Sequence, residues 1–236
     1  MENLIPSVIG SLIAEILTLP ICTVKTIYQN NPNITLNQTI QQIIKKSGYR
    51  GFVQASPPAI LSQIISTSTK YSFYNYIKYI RCTESSDVLN NSLNGMLGGL
   101  FGSVFSHPID VWKNYSQRNE KFPLTSFDIK KYYQGYSASI YKNIALYSCL
   151  FPIYDFYKIK FDSIYISSIV TSLTVSLIIQ PFDYLKTVKM AGGITSNSIK
   201  LKNFWRGFGL MLSRSIPHFL ITMVITEKIK KNILDN

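Results

Sequence analysis

The sequence predicts an all-α membrane protein of six bilayer-spanning helices in three tandem repeats. Three observations predict it: a charge-poor, apolar composition, six apolar windows of spanning length, and a proline-centred motif that recurs three times. Of the 236 residues, 15% are charged and 46% hydrophobic, and the mean hydropathy is +0.11. Soluble domains carry about 25% charged residues, so this chain keeps little of its surface in water, and the same apolar content excludes disorder. No unbroken run of about 20 aliphatic residues occurs, so the spans must be interrupted by polar positions. Cys22, Cys82 and Cys149 are odd in number and widely spaced, which excludes a disulfide framework and a structural metal site; neither metal nor cofactor is expected. Met1 to Pro20 holds Glu2 and Glu15 and no leading basic cluster, so it reads poorly as a cleaved targeting segment.

The windows cover roughly 7–29, 58–80, 92–115, 137–158, 163–189 and 208–229. At about 1.5 Å per residue each reaches across a hydrocarbon core of about 30 Å, and an even number places both termini on one side. Ser, Thr, Gly and isolated charges inside the windows, as between Ser163 and Lys186, predict a bundle interior that holds water.

Repetition organises the windows. Pro20-Ile21-Cys22-Thr23-Val24-Lys25 recurs as Pro108-Ile109-Asp110-Val111-Trp112-Lys113 and as Pro181-Phe182-Asp183-Tyr184-Leu185-Lys186, at spacings of 88 and 73 residues. A second marker follows each proline by 31, 27 and 26 residues and ends in glycine: Tyr49-Arg50-Gly51, Tyr133-Gln134-Gly135 and Trp205-Arg206-Gly207. A third closes each repeat: Tyr74-Asn75-Tyr76-Ile77-Lys78, Tyr154-Asp155-Phe156-Tyr157-Lys158 and Thr226-Glu227-Lys228-Ile229-Lys230. The repeats are 1–82, 83–160 and 161–236. Pro20, Pro108 and Pro181 each remove a helical hydrogen bond and should kink the odd-numbered spans. The acidic and basic positions of each motif are three apart and therefore share a helix face.

Three markers in the same order, three times, resemble the mitochondrial carrier family across nearly the whole chain. The resemblance implies six tilted helices in a threefold pseudosymmetric barrel, each repeat adding a short matrix helix, with a central solute site and alternating access. It also implies a monomer without enzymatic activity, embedded in the inner mitochondrial membrane and in contact with cardiolipin. In its brevity and its Ile, Asn and Lys bias the chain is similar to virus-encoded, nucleotide-carrying members, which implies a host mitochondrion.

By the same resemblance, Asp110 pairs with Lys186 and Asp183 with Lys25 to close the matrix mouth. Cys22 stands where a carboxylate is expected, so Lys113 is left without one and this gate has two links. Gln29 and Gln117 take the place of braces beneath it; Met190 occupies the third such place and cannot brace. The opposite, cytoplasmic gate pairs Lys78 with Asp155 and Lys158 with Glu227, while Asn75 leaves Lys230 without a carboxylate. Pairs beside water are worth on the order of a kcal/mol, weak enough for substrate binding to open them. Substrate contacts map to Ser62, Lys142 with Asn143, and Arg214, with Lys70 on the face of Ser62 and Glu15 projecting inward.

Loop charge sets the orientation. Lys45, Lys46, Arg50, Arg118, Lys121, Lys130, Lys131, Lys189, Lys200, Lys202 and Arg206 follow the odd spans, against only Glu120 and Asp128, and basic loops stay inside. Both termini then face the intermembrane space. Lys70, Lys142 and Arg214 around a wet cavity select an anion of several charges, since Arg donates bidentately to phosphate and Lys supplies a mobile point charge. Asn143 offers a base edge a hydrogen bond, and Tyr141 or Tyr147 an aromatic face. A nucleotide, plausibly dATP or dTTP, is the expected cargo, moved by exchange. Phosphate, a carboxylate or an amino acid, with Glu15 on an amine or a proton, is the alternative within the fold. The net charge of +12 with 16 tyrosines also suits a basic nucleic-acid binder, but that reading leaves the six apolar windows unexplained, so no nucleic-acid partner is expected. Glycines at 95, 98, 99 and 102, and Ser168, Thr171, Ser172 and Ser176, read as helix-packing faces. His107 and His218, beside prolines, read as packing or capping residues.

Overall fold

The computed structural model describes residues 4–80, 88–120, 122, 128–192 and 201–234. Six long helices carry the fold: α1 (Leu4–Asn30), α3 (Ser56–Ile80), α4 (Val88–Gln117), α6 (Tyr136–Phe161), α7 (Ile164–Met190) and α8 (Phe208–Leu234). Between them lie α2 (Leu36–Ser47), the single turn α5 (Ile129–Tyr132) and two short 3-10 turns at Tyr49–Phe52 and Leu201–Trp205. Each long helix coincides with one apolar window to within a few residues at each end. Of the expected repeat boundaries, 82/83 falls outside the described residues and 160/161 falls one residue before the end of α6.

α2 is the surface helix expected after the first span. Thr35 and Gln38 form a reciprocal capping box at its start, and Lys45 and Lys46 sit in its last turn, where the helix dipole favours cations. Its counterpart in the second repeat is only the four residues of α5. Residues 193–200, where a third would lie, are outside the described residues.

The long helices pack in cyclic order, α1 on α3, α3 on α4, α4 on α6, α6 on α7, α7 on α8 and α8 back on α1. The proline-bearing helices α1, α4 and α7 also touch one another pairwise. Counted as spans, α1, α4 and α7 are odd and α3, α6 and α8 even; Pro152 and Pro217 lie inside α6 and α8, so two of the even helices carry prolines as well. Gly98 and Gly102 let α4 approach the α3 backbone: a Cβ at Gly98 would stand 2.9 Å from the Lys70 carbonyl oxygen. The glycines of the second marker have distinct reasons. Gly135 and Gly207 open α6 and α8 with φ of 73° and 77°, a region that costs glycine nothing, whereas a Cβ on Gly51 would meet Ile43 and Ser47 of α2 at 2.9 Å.

Polarity is inverted relative to a water-soluble bundle. Ile5, Leu17, Phe101, Phe105, Ile159 and Leu177 face outward, while Glu15, Lys25, Gln29, Asn94, Gln180 and Asp183 are buried. Such an arrangement is stable where the surroundings are apolar. Among the described residues three stretches, 5–30, 164–190 and 203–226, are long and apolar enough to cross a membrane. α3, α4 and α6 fall short of that measure, so it identifies three spans where the sequence reading has six. The reason is visible in their composition: Ser62, Gln63, Ser66, Thr67 and Lys70 on α3, and Lys142 and Asn143 on α6, lower their hydropathy.

Candidate functional site

Where α1, α4 and α7 converge, three carboxylates meet five cations. Lys186 of α7 lies 2.8 Å from Asp110 of α4, and Lys25 of α1 pairs with Asp183 of α7. Lys113 does not lack a carboxylate, as Cys22 had led us to expect. It lies 2.5 Å from Glu15 Oε1, so this end has three links between proline-bearing helices and not two. The reason is helical: Glu15 and Cys22 are seven residues, two turns, apart and share a face of α1, and the long lysine stem spans the offset.

Each carboxylate is also held by a second residue from the neighbouring even helix. Glu15, 1% exposed, accepts from Arg214 of α8 at 2.9 Å through its other oxygen, with His218 Nδ1 3.9 Å away. Asp183 accepts from Lys142 of α6, and Asp110 from the Ser62 hydroxyl of α3. Ser62, Lys142, Arg214 and Glu15, expected to face a solute, are therefore bonded into the ion-pair network in this conformation. Thr26 donates to Gln117 Oε1 at 2.8 Å, and Gln117 Nε2 approaches Cys22 Sγ at 3.2 Å, so Gln117 ties α4 to α1 without touching an ion pair. Gln29 donates to the Arg206 carbonyl at 3.3 Å, which ties α1 to the turn before α8. Neither glutamine braces an ion pair as expected.

Two cavities open from the network. One, of about 220 Å³, has Lys142, Arg214, Lys25 and Asp183 in its wall with Ser172 and Ser176. The other, of about 570 Å³, runs on toward the N-terminal end of α1, past Ser11, Gln63, Thr67, Lys70, Tyr71 and Tyr147. Leu150, His218 and Phe219 line both, so the two adjoin. Lys70 has no ion-pair partner among the described residues, and its ammonium stands 6.0 Å from the centroid of the Tyr147 ring. Tyr141 is 62% exposed on the outside and Asn143 is buried, and neither lines these two cavities; of the residues expected to meet a base, Tyr147 lines the larger one. Among the described residues no group of three His, Cys, Asp or Glu side chains is placed to hold a metal ion.

The far end of the bundle is built differently. Among the described residues no ion pair joins Lys78 to Asp155, and the side chains of Glu227 and Lys230 lie outside those described. The larger cavity begins about one turn before Lys78, at Tyr74. Aromatic contacts lie at this end: Tyr154 meets Phe219 edge to face at 5.9 Å, and the Lys158 ammonium lies 5.9 Å from the Tyr154 centroid.

Several structural ties escape sequence reading. His107, before Pro108, bonds to Ser139 Oγ and to the Gln134 carbonyl, each at 3.1 Å. Gln180, before Pro181, donates to the Phe204 and Arg206 carbonyls at 3.2 Å. Arg206 donates to the carbonyl of Tyr28 in the last turn of α1 and to those of Asn31 and Ile34 beyond it, and stacks on the Tyr28 ring at 3.8 Å. A polar residue before each of two prolines was the available signal. Its backbone acceptors leave no trace in sequence.

Comparison with known proteins places these features in context. The family model described as "Mitochondrial carrier protein" matches residues 1–85. The chain is 37% identical over 230 residues to a "mitochondrial carrier-like protein" of Acanthamoeba polyphaga mimivirus, an alignment that covers 97% of this chain and 95% of the viral one.

Proposed function

The chain belongs to the mitochondrial carrier family, and we propose that within this family of membrane transporters it exchanges anionic nucleotides. The observation that carries the reading is a charge imbalance. Lys25, Lys113, Lys142, Lys186 and Arg214 share only Glu15, Asp110 and Asp183, and Lys70 adds a further cation in the adjoining cavity. Excess positive charge in a low-dielectric interior is costly, and an anion of two or more charges offsets it. Phosphates suit the guanidinium of Arg214 and the ammonium of Lys142.

The larger cavity supports the rest of a nucleotide. Its volume, about 570 Å³, lies within the usual range of small-molecule sites of about 300–1,000 Å³. Tyr147 offers a ring face there, and Gln63 and Thr67 offer polar edges. Phosphates then sit deep, beside the network, and the base sits toward the α1 N-terminus. Deoxynucleotides such as dATP or dTTP are an inference about need: the Ile, Asn and Lys bias of the chain, residues with A/T-rich codons, suits an A/T-rich genome. Glu15 held by two cations disfavours the amino-acid alternative, in which it would receive an amine.

In this reading all six long helices cross the inner membrane of a host mitochondrion as a monomeric barrel of three repeats. The basic loops contact cardiolipin on the matrix side, and both termini lie in the intermembrane space. The ion-paired end is the closed matrix mouth, the end bearing Lys78, Asp155 and Lys158 is the cytoplasmic gate, and Pro20, Pro108 and Pro181 bend the odd helices between them. Alternating access follows from making one set of links as the other breaks. The test is uptake of labelled nucleotides, phosphate, carboxylates and amino acids into proteoliposomes. Inhibition of labelled dATP exchange by excess dTTP or ATP is the expected result; uptake competed by phosphate or dicarboxylates and indifferent to nucleotides would overturn the reading.

A further inference from the structure

We infer that Glu15 is the relocated third carboxylate of the matrix-side gate, and that it links this gate directly to occupancy of the solute cavity. The inference rests on the transport reading above and extends it to a residue outside the recurring motif. The threefold pattern carries it. Asp110 joins Lys186 to Ser62, Asp183 joins Lys25 to Lys142, and Glu15 joins Lys113 to Arg214. In every case one carboxylate bridges a lysine on a proline-bearing helix and a residue on the even helix beside it. Only the third carboxylate has left its motif position, where Cys22 now sits, 7% exposed and bonded to Gln117.

The two oxygens of Glu15 divide the work. Oε1 receives Lys113 and Oε2 receives Arg214. An anion that binds Arg214 competes with Oε2, so a loaded cavity leaves Glu15 holding the gate lysine with one fewer partner. An empty cavity keeps both links. The carrier is thereby held shut on this side until a solute arrives, which is what obligatory exchange requires.

One variant and one compensating variant test this. Glu15→Gln leaves Lys113 and Arg214 buried without their anion, and exchange should fall about tenfold or more. Cys22→Asp in the Glu15→Gln background returns a carboxylate to the same face of α1, close enough to Lys113 to interact electrostatically, and should recover a large part of the lost exchange. Thermal unfolding of the purified protein in detergent reads the same link without transport: Glu15→Gln should lower the midpoint and the added Cys22→Asp should raise it again. Full exchange in Glu15→Gln, or loss that Cys22→Asp restores in neither assay, overturns the inference. If the parent protein exchanges none of the anions offered, the transport reading fails by itself, and the unfolding midpoints still decide whether Glu15 is the missing link.

Discussion

At one end of the bundle three carboxylates, each bonded twice, tie α1, α4 and α7 to one another and to α3, α6 and α8. At the other, Tyr154 rests on Phe219, and Asp155 has no ion pair among the described residues. The sequence motifs at the two ends look equally strong, since each supplies lysines and two carboxylates in phase. What separates them in the structure is burial. Asp183 and Glu15 have side-chain exposures of 5% and 1%, so their partners are chosen by the need to satisfy a desolvated charge. The difference teaches that equal motifs need not be paired alike: Asp110 and Asp183 hold their expected lysines at one end, whereas Asp155 makes no ion pair among the described residues at the other.

The comparison is broken or sharpened by substitution at each end. Asp183→Asn should have the largest effect, because it strips both Lys25 and Lys142 of their anion. A loss of stability of about 3–5 kcal/mol, read as a lowered unfolding midpoint, should accompany loss of exchange. Lys142→Gln or Arg214→Gln should act next, raising the KM for a nucleotide by about tenfold or more with a smaller change in unfolding, since a charge-assisted contact is worth about 1.5–3 kcal/mol. His107→Ala removes two hydrogen bonds between α4 and the segment from Gln134 to Ser139. It should cost about 1–2 kcal/mol in thermal unfolding and leave cargo preference unchanged. Asp155→Asn should be the mildest, within about 1 kcal/mol in the unfolding assay, because no ion pair holds it among the described residues. An Asp155→Asn midpoint as low as that of Asp183→Asn would erase the distinction between the two ends.

Much of this was legible in the sequence, and the omissions have physical causes. In-phase prolines and lysines located the three converging helices, and the pairs Asp110 with Lys186 and Lys25 with Asp183 are brought together. Glu15 as a partner of Lys113 was not legible, because a carboxylate two turns outside its motif matches no spacing and acquires meaning only when α4 lies against α1. Ser62, Lys142 and Arg214 were picked out for a solute, but the carboxylate each one meets belongs to a different helix, and helix adjacency is not written in local sequence. Tyr141 and Tyr147 are six residues apart and point to different surroundings, one outward and one into the cavity. The polar faces of α3, α4 and α6 explain why hydropathy alone marks three helices while repetition marks six.

The most direct test of the account is labelled dATP uptake into proteoliposomes, comparing vesicles preloaded with unlabelled nucleotide with empty ones, for the parent protein and for Arg214→Gln. The account predicts rapid uptake only into loaded vesicles and its loss in the variant. Equal uptake into empty vesicles, or uptake indifferent to Arg214, would contradict it.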